Sequence, residues 1–337
     1  MSGAGSTAAR SRPAGTAALD KANPIQRAAS RFDADAQGLA ATFVWDSGDG
    51  PGPYDAVVRV SGRRLGVVGP RTRDDDFVRE EHVRGIIPGS GPVSLTTQVH
   101  HINAGEWSVT AELTRASARK RVDGRARPAK KGTGRRRLSR GEWSWRRWAV
   151  RPAGPTAICT RWAPLTGLDR APAVLPGSYV GLIAAGVVLA LVLQLRLVAA
   201  RGVETAPVLI GALLAVAAGL VGAKLWYRVD RTGRERASGS VGWCIQGFLA
   251  GAALALAVSV WAFGLPVGTV LDATAPALFL GLAVGRLGCF FTGCCAGRPS
   301  ASRWAVWSSD RRIGARRIPT QLLESLAAAV ISLVAWR

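Results

Sequence analysis

The sequence predicts a multi-pass α-helical membrane region of four to five spans, preceded by an N-terminal all-β, sandwich-like soluble domain. Two observations predict this division. The formal net charge is +22 although 48% of the residues are hydrophobic, a combination that suits two regions better than one soluble domain. The basic residues concentrate before Pro172, and long apolar runs dominate after it. The five cysteines have no paired spacing in the first half, so we predict no disulfide framework.

The chain is expected to begin with a disordered segment and a small β domain. Residues 1–37 are rich in Ala, Ser, Gly, Pro and Arg and lack a continuous apolar run, so we expect neither a signal peptide nor an anchor. Within residues 38–114, two runs alternate with a period of two, which is typical of strands. They are Val93, Leu95, Thr97, Val99 and Trp107, Val109, Ala111, Leu113. Asn103-Ala104-Gly105 predicts a hairpin between them, within an immunoglobulin-like sandwich that acts as a binding or spacer module.

Residues 115–172 are expected to form a basic, tryptophan-containing linker. Between Arg115 and Arg151 the sequence has fifteen Arg or Lys against two acidic residues. Trp143, Trp145 and Trp148 lie near the end of this run, and this mixture suits a lipid headgroup layer. We therefore expect anionic membrane lipid as its partner and no nucleic acid, with a plain solvated linker as the alternative.

Residues 173–337 contain the candidate membrane spans. A spanning helix needs about 20 mostly apolar residues. The segments that qualify are Leu175–Leu195, Pro207–Tyr227, Val241–Phe263, Leu271–Phe291 and, marginally in length, Pro319–Trp336. We therefore expect a multi-pass protein of the cell inner (cytoplasmic) membrane.

Few polar residues fall inside the apolar segments, and Arg286 is the one most suggestive of function. A guanidinium near the bilayer centre costs about 2.5–3.5 kcal/mol on insertion scales. Lys224 can instead snorkel to the interface, and Gln246 can form an interhelical hydrogen bond. Three cysteines follow Arg286 at positions 289, 294 and 295, one ligand short of a closed tetrahedral zinc site, so we predict no metal. A reactive cysteine pair, and with it a membrane thiol-redox protein, is a further alternative.

Four motifs in this region resemble those of the prolipoprotein diacylglyceryl transferase family. They are Gly222-Ala223-Lys224-Leu225, Gln246-Gly247-Phe248-Leu249-Ala250-Gly251, Asp272–Pro276 followed by Gly285-Arg286-Leu287-Gly288-Cys289-Phe290, and Arg317-Ile318-Pro319-Thr320-Gln321-Leu322-Leu323-Glu324. The resemblance implies transfer of a diacylglyceryl group from phosphatidylglycerol to the lipobox cysteine of prolipoproteins, without a cofactor. It covers about Pro176 to Trp336 and leaves the β domain outside.

The resemblance also implies roles for individual residues. Arg286 and Arg317 match family arginines that would hold the lipid phosphate, and Gln246 joins them as a third catalytic candidate. The candidates for substrate binding are Lys224, Tyr179, Gly288 and Glu324.

The sequence departs from the family pattern at several of these positions. Cys289 stands where the family usually has asparagine, Cys294 where it has an acidic residue, and Lys224 where it has arginine. Gln246 replaces a histidine, and glutamine cannot act as a base. These departures favour, as the alternative, a non-catalytic membrane-anchored homologue that binds lipid or protein.

The charge distribution and the resemblance imply opposite topologies. Basic loops usually stay in the cytoplasm, which places both the β domain and the loop of residues 298–317 there. The resemblance implies that the signature loop lies outside. For the site we favour the family topology, because arginines that bind lipid phosphate depart from the charge rule for a functional reason.

Overall fold

The computed structural model describes residues 36–116, 121–122, 125–126, 131–166, 168–169, 171–230 and 242–337. The chain divides into two compact units. The β unit comprises Met1–Pro176 with Phe290–Thr320, and the helical unit comprises Gly177–Cys289 with Gln321–Arg337. The disorder expected for residues 1–37 falls almost wholly outside the described residues.

The β unit is built from antiparallel strands. Its strands are β1 Leu39–Asp46, β2 Tyr54–Arg64, β3 Asp76–Ile86, β4 Pro92–Val99, β5 Glu106–Ala116, β6 Arg121–Val122, β7 Arg125–Ala126, β8 Lys131–Arg137, β9 Ser139–Ser144, β10 Ala149–Ala153, β11 Ile158–Cys159, β12 Val306–Ser309 and β13 Ile313–Arg317. One sheet has the order β10-β9-β1-β4-β13-β12. A second has the order β11-β5-β2-β3, with β8 also paired to β5. A short helix, α1 (Ala163–Thr166), follows β11.

One apolar core lies between the two larger sheets. Phe43 and Leu95 contribute from the first sheet, and Val58 and Trp107 contribute from the second. The alternation predicted for residues 93–99 and 107–113 is confirmed, because every position of both predicted faces is buried. Alternate residues of a strand point to opposite faces, so each strand gives one apolar face to this core.

The predicted hairpin at Asn103-Ala104-Gly105 is wrong. β4 pairs with β1 and β13, whereas β5 pairs with β2, β8 and β11. The segment between β4 and β5 therefore crosses from one sheet to the other. Alternation defines the buried face of each strand but not its pairing partner, and here both strands direct their apolar faces into the same core.

Several segments outside the predicted β domain also belong to its sheets, including β8 and β11, which pair with β5. Residues 139–153, which the sequence interpretation assigned to the basic linker, form β9 and β10 beside β1. The hairpin β12–β13, which follows the fourth predicted span, pairs with β4 at Ile313↔Leu95 and Gly314↔Ser94. Ala315 of this hairpin is buried in the sandwich core. The family-like region therefore supplies part of the β unit.

The helical unit is built from long apolar helices. The helices are α2 Ser178–Ala200, α3 Thr205–Asp230, α4 Ile245–Ala262, α5 Val267–Thr292 and α6 Thr320–Trp336. Among the described residues, α2 to α5 are long and apolar enough to cross a membrane, and α6 is shorter. The predicted multi-pass helical region and the β domain before it are both confirmed.

Small residues bring the helices of this unit close together. A Cβ on Gly222 of α3 would lie 2.3 Å from the carbonyl oxygen of Gly247 in α4. Gly281 of α5 packs in the same way against Gly186 of α2. Without a strong hydrophobic force between helices in lipid, such close backbone approach drives helix association.

Candidate functional site

Arg286 lies near the end of α5 and is paired with Glu324 of α6. Its Nε lies 2.7 Å from the Oε2 atom of Glu324. Two hydrogen bonds fix α6 along α5 at this pair: Ser325 Oγ donates to the carbonyl of Ala283, and Ser332 Oγ donates to that of Pro276, each over 2.7 Å. The pairing of the two helices therefore positions a guanidinium and a carboxylate together at one end of the helical unit.

The Arg286–Glu324 pair is suited to binding an anion. The side chains are 32% and 50% exposed, so neither is sealed in the helix packing. A guanidinium has five N–H donors in a planar fork, so it can bind a phosphate while one donor contacts a carboxylate. The carboxylate fixes the direction of the guanidinium. Less conformational entropy is therefore lost when a ligand binds.

Tyr179 and Gly288 meet where α2 packs on α5. A Cβ on Gly288 would lie 3.4 Å from Tyr179 Cα and 3.3 Å from Leu182 Cβ, so the two backbones are in contact at this point. Gly288 is two positions after Arg286, and Tyr179 is half exposed. The structure therefore brings four of the predicted residues to α2, α5 and α6.

Lys224 and Gln246 belong to the neighbouring helix pair, α3 and α4. Lys224 Nζ lies 4.0 Å from the ring centroid of Trp243 and donates to the carbonyl of Gly242 over 3.5 Å. Gln246 is exposed in the first turn of α4, and its Oε1 accepts a hydrogen bond from Cys244 Sγ at 2.8 Å. Lys224 is thus held beside the segment that leads into Gln246.

Arg317 lies in the β unit, at the end of β13, and it is 8% exposed. Its Nη2 donates to Asp310 Oδ2 over 2.8 Å and its Nη1 to the carbonyl of Gly297 over 3.3 Å. Its Nε is buried without a hydrogen-bond partner among the described residues. Asp310 Oδ1 also accepts from the N–H of Ile313 over 2.8 Å, which fixes the hairpin turn before Arg317.

Three cysteines follow Arg286, and Cys289 among them is buried. Cys295 is exposed and has a left-handed backbone with φ of 53°. Its carbonyl accepts a hydrogen bond from Thr320 Oγ1 over 3.2 Å, which connects the segment after α5 to the start of α6.

The sequence interpretation missed Asp310 and Gly297 as partners of Arg317. Asp310 stands in a Ser-Ser-Asp-Arg-Arg run, where an aspartate before two basic residues suggests a turn as readily as a charge partner. Gly297 contributes only its backbone, although a Cβ there would lie 2.1 Å from the carbonyl oxygen of Ile318. Only the close packing of these loop segments brings the two beside Arg317.

Comparison with known proteins finds similarities in the part of the chain that contains the long helices. The family model described as prolipoprotein diacylglyceryl transferase matches residues 177–337. Proteins named phosphatidylglycerol–prolipoprotein diacylglyceryl transferase match at 30% identity in Dehalococcoides mccartyi, over 35% of this chain and 48% of the relative, and at 31% in Rhodococcus jostii, over 47% and 46%. A protein of the same name from Clostridium tetani is 27% identical over 44% of this chain and 64% of its own length.

The family model covers the helices from α2 to α6 and the β12–β13 hairpin but not the preceding sandwich. The chain spans about half the length of the first relatives that it matches, with shares of 48% and 46%. The matched residues include Arg286, Gly288, Arg317 and Glu324. Residues 177–337 of this chain are therefore similar to the prolipoprotein diacylglyceryl transferase family.

Proposed function

We propose that this protein transfers a diacylglyceryl group from phosphatidylglycerol to the lipobox cysteine of prolipoproteins at the cell inner membrane. The observation that carries the proposal is Arg286, a guanidinium in the family signature, paired with Glu324 at one end of a helix long enough to span a membrane. The matched relatives carry the name of this transferase.

The chemistry of the transfer explains why a guanidinium is needed. The acceptor thiolate attacks the glycerol carbon and forms a C–S bond, while the C–O bond to phosphate breaks and glycerol phosphate leaves with the electron pair. Negative charge therefore develops on the leaving phosphate, and a positioned cation beside it lowers the barrier. Arg286 supplies that cation, and Glu324 holds its orientation.

A supporting role remains for Lys224 and Gln246. The Lys224 ammonium adds positive charge beside the start of α4, where an anionic lipid or a thiolate gains from it. The Gln246 amide can donate or accept a hydrogen bond but cannot remove the thiol proton.

The proposal is tested by complementation. The full chain is expressed in a strain depleted of its own transferase, as wild type, as Arg286→Ala and as Arg196→Ala. Arg196 is an exposed arginine of α2, so it controls for the loss of one cation from a long helix. We expect growth with wild type and Arg196→Ala and none with Arg286→Ala. A wild-type chain that is inserted in the membrane but does not restore growth would reject the proposal.

The second candidate is a non-catalytic homologue that binds lipid or protein. It is favoured by Gln246, which lacks a base and whose Oε1 accepts a hydrogen bond from Cys244. Membrane insertion without complementation, combined with saturable binding of phosphatidylglycerol, would select this candidate over the transferase.

We also infer that the turn between β9 and β10 contacts anionic lipid. Trp145, Arg146 and Arg147 are exposed together at this turn. Exposed aromatic and cationic side chains suit the headgroup layer. Replacing Arg146 and Arg147 by Ala is expected to weaken membrane binding of the β unit in a salt-sensitive manner. Equal binding to anionic and neutral vesicles by the wild-type chain would contradict it.

A further inference from the structure

A cavity of about 170 Å³ lies in the β unit beside Arg317. One wall comes from the hairpin, with Asp310 and Arg317, and Pro299 lies next to them. The opposite wall comes from the end of β3 and its connection to β4, including Arg84, Gly85 and Ser90. The second wall lies outside residues 177–337, the part of the chain that matches the family.

A β-bulge shapes the wall that the N-terminal domain contributes. Val83 pairs with Ala56 and Ile86 with Tyr54, so Arg84 and Gly85 together oppose the single residue Asp55. Gly85 adopts a left-handed backbone with φ of 67°, and its N–H donates to Asp55 Oδ1 over 2.9 Å. Bulges redirect side chains and are frequent beside binding sites.

The charges around the cavity favour an anion. Arg84 and Arg317 line it with two guanidinium groups, and Asp310 is the one carboxylate among its lining residues. The Nε of Arg317 is buried and has no hydrogen-bond partner among the described residues. A buried donor without a partner is destabilising, so an acceptor that reaches it removes this penalty.

The size of the cavity limits the anion to a small group. An apolar cavity of about 150 Å³ can hold one benzene molecule. A cavity of similar volume has room for a phosphate group but not for an acyl chain. A singly charged phosphate diester would also balance the excess of one positive charge.

We propose that this cavity binds the phosphate of a glycerol phosphate ester, with Arg84 of the N-terminal domain as a second phosphate ligand beside Arg317. The β domain is then part of a binding site and not a spacer. The ester is either a phosphatidylglycerol headgroup or free glycerol phosphate. If the ligand is the phosphatidylglycerol headgroup, the inference rests on the proposed transfer reaction. If the ligand is free glycerol phosphate, the inference is independent of that reaction.

Binding to the full chain in neutral detergent tests the inference. Calorimetric titrations use glycerol 3-phosphate as one probe and nanodiscs of phosphatidylglycerol, compared with phosphatidylcholine, as the other. We expect Arg84→Ala to weaken binding about tenfold, the loss expected for one charge-assisted hydrogen bond. Arg59→Ala is the matched control, because Arg59 is an exposed arginine of β2 that does not line the cavity.

A second variant separates anion binding from a purely structural ion pair. Asp310→Asn keeps an oxygen that accepts from Ile313 N–H but removes the charge that competes for Arg317. We expect this variant to bind the phosphate several-fold more tightly, a result that misfolding cannot produce. Weaker binding by Asp310→Asn, unchanged binding by Arg84→Ala, or no saturable binding of either probe by wild type would overturn the inference.

The two probes also separate this inference from the proposed transfer. If only glycerol 3-phosphate binds, the cavity is a site for the free ligand. If the lipid nanodiscs bind and this binding depends on Arg84, the cavity is a site for the lipid headgroup. Failure of complementation with Arg84-dependent binding intact rejects the transferase and leaves the cavity standing. Complementation without such binding rejects the cavity alone.

Discussion

Each of the two arginines proposed to bind phosphate has a carboxylate partner. Glu324 lies 2.7 Å from Arg286 in the helical unit, and Asp310 lies 2.8 Å from Arg317 in the β unit. A carboxylate orients the guanidinium but also offsets its charge, so an incoming phosphate has to compete with it. The Glu324 side chain is half exposed, so water screens this competition at Arg286.

The first residue-scale prediction concerns the partner of Arg286. We expect Glu324→Gln to lower the transfer rate about tenfold, because glutamine keeps a hydrogen-bonding oxygen but loses the charge that orients the guanidinium. The rate is measured with purified protein, phosphatidylglycerol and a lipobox peptide. The control is Glu204→Gln, the same substitution at an exposed glutamate between α2 and α3. A rate equal to wild type for Glu324→Gln would show that this carboxylate does not position Arg286.

A second prediction concerns acid stability of the β unit. Asp75 is buried and accepts hydrogen bonds from the backbone N–H of Thr72, from Asn103 and from Arg64. These bonds, the Thr72 bond most of all, hold the pKa of Asp75 well below its ordinary value. The unfolded chain has an Asp pKa of about 3.9, so the stabilisation is complete above that pH and is lost as the pH falls below it.

The measurement is the thermal unfolding midpoint of the full chain between pH 7 and pH 2.5. We expect the wild-type midpoint to fall below pH 4, and Asp75→Asn to show a lower midpoint at pH 7 and a weaker dependence on acid. Parallel curves for the two proteins would contradict the assigned cause. The control is Asp74→Asn, because Asp74 is exposed.

At the scale of elements, α3 and α4 are joined by glycines in direct backbone contact. A Cβ on Gly222 would meet the Gly247 carbonyl at 2.3 Å, and a Cβ on Gly251 would meet the Ala218 carbonyl at 2.5 Å. Lys224 is two positions after Gly222 and is held against Trp243. The position of Lys224 thus depends on helix packing that only glycine permits.

We therefore expect Gly222→Ala to destabilise the α3–α4 pair by about 1–3 kcal/mol, the usual cost of overpacking a tight contact. The control is Gly181→Ala in α2, where the added methyl meets no atom within 4 Å. Alanine favours a helix over glycine by up to about 1 kcal/mol, so the control is expected to be neutral or stabilising. Unfolding in detergent is followed by circular dichroism. Equal effects of the two substitutions would refute the backbone contact.

Helices and strands were predictable from the sequence where they have a long apolar face. The spans met this condition, and so did the faces led by Leu95 and Trp107, which are buried. β9 and β10 were not predictable, because Trp143 and Val150 are their main inward residues among arginines and glycine. The pairing of Ile313 with Leu95 was equally inaccessible, since a short strand carries no sign of a partner so distant in sequence.

The candidate site was predictable only in part, for a related reason. Arg286 stood out because charge is rare in apolar segments, and Glu324 was found through its motif. Their 2.7 Å pairing was not predicted, because contact between α5 and α6 depends on side-chain packing along both helices. Arg84 had no sequence signal at all, since one arginine among many in a basic domain is not distinctive.

At the scale of the whole molecule, the mixed origin of the β unit constrains membrane topology. Strands hydrogen-bonded in one sheet cannot be separated by a bilayer, so β4 and the β12–β13 hairpin lie on the same side. Between them the described part of the chain contains four helices long enough to span, and four crossings return the chain to that side. The β domain therefore shares the side of the signature loop, whichever side that is.

This constraint predicts the outcome of labelling with an impermeant thiol reagent. In chains whose other cysteines are replaced by serine, Cys295 and an Arg59→Cys substitution are expected to react under the same conditions. An Arg201→Cys substitution, after α2, is expected to react under the opposite ones, because one span separates it from them. Labelling of both β-unit positions in intact cells fits the proposed transferase. Opposite behaviour of Cys295 and Arg59→Cys would contradict the sheet pairing.

The pairing of β13 with β4 also sets the order in which the protein can mature. Ser94 and Leu95 emerge from the ribosome long before Gly314 and Ile313, and all four long helices are synthesised in between. Until the hairpin arrives, β4 remains an open sheet edge next to an unfilled core, a state prone to aggregation. Completion of the sandwich therefore has to wait until the intervening helices have been synthesised.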